Sequence, residues 1–303
     1  AQGLGKCTPG DGCIYAGGDV VTWCFGHILE QCSPEEYDEK YKAWRIEDLP
    51  ILPSQWKMKV KKGAEKQYKV IRALIKDADE IAAIRRACAI ADAAFAHIIT
   101  VIHPGMTECE VAAEMEYFMR REGSERPAFT TIVASGVRGS LPHGVASTKE
   151  IACGELVTMD FGAVYEGYCS DITRTICVGR ADAHQRERYD AVLAAQERAL
   201  AALHPGVTGI EADRVARDAL VEKNLAQYFG HGLGHSLGLE IHEEPRLSKS
   251  CPVALQENML ITDEPGIYIP GWGGIRIEDT VLITHDGAEP LTHAPKEFIE
   301  ICI

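Results

Sequence analysis

Four carboxylates and three imidazoles in this 303-residue chain are spaced as a cation site would need them. Asp160 and Asp171 lie eleven residues apart around Tyr165-Glu166-Gly167, within LVTMDFGAVYEGYCSDITRTICVG. The β-branched residues and glycines of that stretch read as a hairpin. With the turn at Tyr165-Glu166 the two acids face each other; with the turn at Glu166-Gly167 they are diagonal neighbours on the same face. Aspartate is disfavoured in mid-strand, and two on one buried face need a cation. The plain alternative is a pair of surface acids near a turn.

A second stretch, NMLITDEPGIYIPGWGGIRIEDTVLIT, repeats the pattern. Glu264 precedes Pro265-Gly266, and Glu278 follows the Gly-rich turn at 270–274. Between the two stretches, HGLGHSLGLEIHEEP carries His231, His235 and His242, and its glycines at 232, 234 and 238 argue against a helix. A lone histidine is more often a satisfied core residue, but three beside two acidic hairpins read as ligand or catalyst. Four carboxylates with one imidazole suit a pair of manganese, cobalt, iron or zinc ions rather than a cysteine-bound structural zinc. Paired ions of this kind activate water at neutral pH and stabilise a developing oxyanion, which is machinery for hydrolysis.

The elements that must hold these groups occur twice. His103-Pro104-Gly105-Met106-Thr107 and His204-Pro205-Gly206-Val207-Thr208 lie 101 residues apart, each closing an alanine-rich helical run. Thr107 with Glu110, and Thr208 with Glu211, have capping-box spacing for the next helix. Each copy is therefore helices followed by a hairpin. Two copies predict an α+β fold with a shared curved antiparallel sheet, outer helices and a cleft where the halves meet. Residues 1–78 fall outside this pattern, and a helical run from about Ala64 is expected to merge into the first helix of the repeat.

Composition narrows the class. With 46% hydrophobic and 25% charged residues, the chain is that of a globular protein able to bury a core. No window suits a membrane span and the first residues hold no apolar leader, which makes the cytoplasm the expected location. Eleven cysteines without a C-x-x-C pair favour reduced thiols over a disulfide framework. The net charge of -14 falls mainly on residues 81–303, so nucleic acid is a poor partner for that part. A basic run from Lys57 to Lys76 reads equally as a solvated helix face or a phosphate-binding one.

The strings LPHG (141–144), VTMDFG (157–162), SDITRT (170–175), GHSLGLEIHEEP (234–245), DEPGIYIPG (263–271) and GGIRIED (273–279) resemble the pita-bread metallopeptidases. That family comprises methionine aminopeptidases, Xaa-Pro aminopeptidases and prolidases, and the resemblance covers about residues 80–303. It implies a duplicated pita-bread fold and two divalent ions, manganese first, with cobalt, zinc or iron as alternatives. The implied ligands are Asp160, Asp171, His235, Glu264 and Glu278, with Asp171 and Glu278 as the bridging pair. Glu264 would also handle the proton of the attacking water, and His143 and His242 would bind and polarise the substrate. His231, Tyr268 and Arg276 resemble the substrate-binding residues of the proline-peptidase branch. The implied activity is an Xaa-Pro aminopeptidase acting on peptides, with a methionine-aminopeptidase-like enzyme, a prolidase-like dipeptidase, or a non-catalytic peptide- or DNA-binding chimera as alternatives. A homo-oligomer is compatible with this reading. Asp263 departs from the pattern, which has an apolar residue there; it could alter metal affinity or point away from the site.

The first 78 residues, including GGDVVTWCFGHILEQCSPEEYDEKYKAWRIEDLPILPSQWKMKV, resemble the Toprim region of type IA topoisomerases of the topoisomerase III kind. The family's D-x-D-R-E-G cluster should follow Ile81, where AAIRRACAIADAAF stands instead, so this fragment is expected to be non-catalytic. The chain is thus expected to be a fusion of a fragment at 1–78 and a peptidase domain at 79–303, joined inside KDADEI.

Overall fold

The computed structural model describes residues 75–302. The topoisomerase-like stretch up to residue 74 and the basic run up to Arg72 lie outside the described residues. Lys76, the last member of that run, lies inside them: its ammonium is buried in an ion pair with Glu243 at 3.0 Å, so it belongs to neither a solvated nor a phosphate-binding face.

Helix α1 spans Ala78–Val101 and starts at a capping box in which Asp77 accepts from the Glu80 amide and Glu80 returns the bond. Asp77 is extended, at φ -81° and ψ 175°. The expected merger with a helix from Ala64 therefore does not occur at 75–77, because the Asp77 side chain takes the place of an upstream helical turn. Helix α2 (Glu108–Arg121) follows Pro104-Gly105, and Thr107 caps it through Glu110 as its spacing predicted. The second copy repeats the plan: α3 (Ala183–Ala202) leads to Pro205-Gly206 and to α4 (Gly209–Val221), capped by Thr208 with Glu211.

Strands follow each helix pair. In the first half these are β1 (Ile132–Ser135), β2 (Glu155–Phe161), β3 (Val164–Tyr165), β4 (Tyr168–Cys169) and β5 (Ile172–Val178). The turn falls at Glu166-Gly167, with φ of 50° and 81°, so both central residues are left-handed, as a tight hairpin requires. Val164 then pairs with Cys169, Asp160 with Thr173, and the diagonal alternative for Asp160 and Asp171 is the one the chain adopts.

The second half contributes β6 (Gly234–Ser236), β7 (Glu243–Leu247), β8 (Leu260–Asp263), β9 (Gly266–Ile269), β10 (Gly273–Arg276), β11 (Asp279–Ile283), β12 (Ala288–Pro290) and β13 (Glu300–Ile301). The expected single sheet is instead two. One has four strands in the order β1-β2-β5-β13; the other has five, β12-β11-β8-β6-β7; the β3-β4 and β9-β10 hairpins stand apart. They separate where Gly162, Pro265 and the extended Ile277-Glu278 interrupt regular pairing, and the halves meet at a bridge between Thr173 and Glu278. Strand β13 joins β5 in parallel, so the chain's end closes the first sheet.

Each half has its own apolar filling. Ala87, Ile90, Phe95 and Ile98 of α1 and Met115 of α2 pack with Val157, Met159, Phe161 and Ile176. Val192 and Ala199 of α3 and Ala212 and Leu220 of α4 pack with Ile261, Ile275 and Val281. Strand β5 is buried along its whole length, with helices on one side and the other half of the molecule on the other. The fold is the mixed α/β, pita-bread-like arrangement.

Candidate metal centre and substrate cavity

The strand interruptions are where the acids sit. Asp160 lies in β2, Asp171 just before β5, Glu264 between β8 and Pro265, and Glu278 just before β11. Asp263 pairs with Asp279 and Gly266 with Arg276, a register that sets Glu264 opposite Glu278. His235 enters from β6. Asp171, His235 and Glu278 offer ligand atoms within 4.8 Å of one another. The His235 Nε2 is 3.5 Å from Asp171 Oδ2 and 3.4 Å from Glu264 Oε1.

The donor set fits divalent cations. His235 Nδ1 is 3.0 Å from the Ser236 carbonyl, which can only accept, so Nδ1 carries the hydrogen and Nε2 turns a bare lone pair to the carboxylates. Burial drives this imidazole down to about 3, which keeps it neutral. Asp160 Oδ1 and Asp171 Oδ1 are buried without a hydrogen-bond donor among the described residues. Burial, then the charges of Glu278, Asp160 and Glu264, raises the Asp171 carboxyl well above its usual range. Burial followed by Glu264 does the same to Glu278, and burial lifts Glu264 to about 7. Acids crowded together this way, with oxygens lacking donors, are the arrangement that a bound cation relieves.

Further groups orient these acids. Thr173 donates to Glu278 Oε2 at 2.5 Å and Thr262 to Glu264 Oε1 at 3.0 Å. Arg276 donates to Asp160 Oδ2, to Thr173 Oγ1 at 2.9 Å, to the Pro142 carbonyl at 3.1 Å and to Tyr268 Oη at 2.7 Å. Tyr268 in turn donates to His231 Nε2 at 2.8 Å, while His231 Nδ1 donates to the Gly232 carbonyl at 2.7 Å. Burial drives His231 down to about 4 and Tyr268 up to about 12, so both stay neutral in this chain of bonds.

A cavity of about 560 Å³ opens onto this cluster. All five predicted ligands line it, with His143, His231, His242 and Arg276; Tyr268 is one bond behind His231. The ring of His242 lies 4.5 Å from that of His235, edge to face. Apolar walls come from Phe129, Ile132, Val145 and Ile241. Arg246 is a lining residue that the motif reading missed, although it directly follows the HEEP string.

Asp263 points away. It is fully buried on the far side of β8, where Gln196 donates to both Asp263 and Asp279 at 3.1 Å. Burial, then the Asp279 charge, raises its carboxyl well above the usual range.

A sequence profile of metallopeptidase family M24 matches residues 82–285. The Xaa-Pro dipeptidase of Pyrococcus furiosus is 51% identical over 316 aligned residues, covering 97% of this chain and 91% of that protein. An uncharacterized peptidase of Bacillus subtilis, YqhT, is 51% identical over 75% of this chain, which spans only 64% of that relative's length. Among solved structures, the prolidase from Pyrococcus furiosus superposes with a TM-score of 0.74 at 53% identity, covering 76% of this chain and 68% of that one. The X-Pro aminopeptidase from Thermotoga maritima gives 0.76 at 40% identity, covering 93% and 79%. An alignment over 97% of the chain runs into the first 74 residues, and these comparisons lend the topoisomerase resemblance no support.

Proposed function

The chain belongs to metallopeptidase family M24, and from that premise we propose that it is an Xaa-Pro dipeptidase, cleaving an N-terminal residue from a C-terminal proline. Asp160, Asp171, His235, Glu264 and Glu278 are the proposed ligands of two divalent ions, manganese first and cobalt, zinc or iron as alternatives. The observation that carries the reading is the convergence of these five groups, with two buried carboxylate oxygens lacking donors, on one cavity. The ions supply Lewis-acid polarisation of a carbonyl and of water.

This chain's own groups do the rest. Glu264, held by Thr262 and next to His235 on the cavity wall, is placed to take the proton of the attacking water and pass it to the leaving nitrogen. His143 and His242 flank the scissile bond. The Arg276–Tyr268–His231 chain of hydrogen bonds holds one wall of the cavity in place, and Phe129, Ile132 and Ile241 give it apolar surface suited to a proline ring.

Two facts favour the dipeptidase over the aminopeptidase expected from the motifs. The Pyrococcus furiosus relative, at 51% identity over 91% of its length, carries the dipeptidase name. Arg246 also brings to the cavity a cation whose acidic partner among the described residues, Glu244, is 3.7 Å away and itself 70% exposed. A free α-carboxylate in the substrate would pair with it.

The discriminating experiment compares Ala-Pro, Ala-Pro-amide and Ala-Pro-Gly with added manganese. The dipeptide is expected to be cleaved fastest, and Arg246→Ala to lower kcat/KM for it by about tenfold while sparing the amide. Equal rates on all three would favour the aminopeptidase, and no cleavage with any of the four metals would sink both.

A further inference from the structure

The two repeats begin their second helix with the same backbone plan but with different residues at its first position. Thr107 bridges to Glu150 and Thr208 to Ala254, and the next two amides of each copy dock on the loop that follows. Glu108 N donates to the Lys149 carbonyl at 3.0 Å and Cys109 N to that of Ser147 at 2.9 Å; Gly209 N donates to Val253 at 3.1 Å and Ile210 N to Cys251 at 2.9 Å. Where the second copy has Gly209, a Cβ would lie 2.4 Å from the Arg246 carbonyl. At the same place the first copy carries a fully buried carboxylate, Glu108.

That carboxylate accepts five bonds, from donors on both flanks of the 136–146 loop and from Arg138 within it. Ser135 gives its amide at 2.7 Å and its hydroxyl at 2.8 Å to Oε1. Ser147 gives its amide at 3.1 Å and its hydroxyl at 2.6 Å to Oε2, which Arg138 also engages. Arg138 further donates to the Val145 carbonyl at 2.9 Å. Glu108 therefore ties together the two residues that flank the excursion at 136–146 and Arg138 near its start, while its tip carries Pro142 and His143 into the cavity. Arg276 holds the neighbouring Pro142 carbonyl from the metal side. The His143 ring makes no hydrogen bond to a described residue, so its place depends on how the loop backbone is held.

We propose that Glu108 is a positioning residue for His143: by clamping both ends of the 136–146 loop it fixes where that imidazole meets the substrate. A burial as costly as this one, absent at the matching Gly209 of the second copy, is explained by a loop that must not shift. A purely structural staple would instead stabilise the whole fold without regard to His143.

This inference rests on the peptidase reading, so wild-type cleavage of Ala-Pro with manganese is measured first. Given cleavage, Glu108→Gln is expected to lower kcat/KM about as far as His143→Ala does, roughly 100-fold, with wild-type metal content. The double variant should be no slower than His143→Ala alone, because the clamp acts through that ring. Equal losses in both backgrounds, or lost metal, would overturn the proposal. Should Glu108→Gln not fold, Ser147→Ala removes one donor and carries the same cycle. Were the wild type inactive on every peptide, the peptidase reading would fail first, and amide exchange would test the clamp alone. Faster exchange at 136–147 in the variant, with α2 unchanged, supports it; unchanged exchange overturns it.

Discussion

Thr173 of the first repeat donates to Glu278 of the second at 2.5 Å, and this bond crosses the seam on which the candidate centre sits. It fixes one Glu278 oxygen and leaves the other to the cluster. Orienting bonds of this type are worth about 10–100-fold in metal affinity. Thr173→Ala should weaken manganese binding by that factor in chelator competition, and Thr173→Ser should restore most of it; equal losses in both would mean the methyl, not the hydroxyl, matters.

Glu264→Gln keeps the side-chain size but removes both a carboxylate ligand and the proton acceptor. Turnover of Ala-Pro is expected to drop by at least about a thousandfold, with far-UV circular dichroism unchanged. Retention of a tenth of the wild-type rate would rule out its proposed role.

Metal removal should expose the strain among the acids. A carboxyl whose folded pKa lies above its unfolded one binds its proton more tightly when folded, so the metal-free fold loses stability as pH rises through that interval. For Glu264 the interval runs from 4.5 to about 7, and Asp171 and Glu278 are shifted the same way. After EDTA treatment, Tm should fall from pH 5 to pH 8, and manganese should cancel most of the fall at pH 8. A metal-free Tm that climbs over this range would contradict the assignment.

Asp263 carries the same sign without facing the cavity, its folded value lying well above 3.8. Asp263→Asn should be nearly neutral near pH 4 and increasingly stabilising toward pH 8, with Ala-Pro cleavage within about twofold of wild type. Thermal melts at the two pH values would show it; a tenfold activity loss would place Asp263 in the site after all.

At the hairpin turn, Gly167 has φ +81°, and an added Cβ would meet only Leu239 Cδ2 at 3.8 Å. Space is therefore available and the backbone alone resists. Gly167→Ala should cost about 1 kcal/mol in urea unfolding of the metal-loaded protein. A neutral result would mean the turn can change type without disturbing Asp160 and Asp171.

Much of this protein is local and so was written in the sequence. Capping boxes at Thr107 and Thr208 are four-residue devices, and both appear where spacing put them. Hairpin period placed Asp160 with Asp171 and Glu264 with Glu278 as pairs, because side chains alternate strictly along a strand. What spacing left open, tertiary packing decided. The hairpin register came down to which turn the buried strands could accommodate, and the direction of Asp263 to which face of β8 received Gln196. The division into two sheets, the seam bond between Thr173 and Glu278, and the burial of Glu108 under the His143 loop join residues 27 to 105 positions apart. No local pattern encodes such contacts, since they exist only once segments distant in the chain have packed together and shut water out.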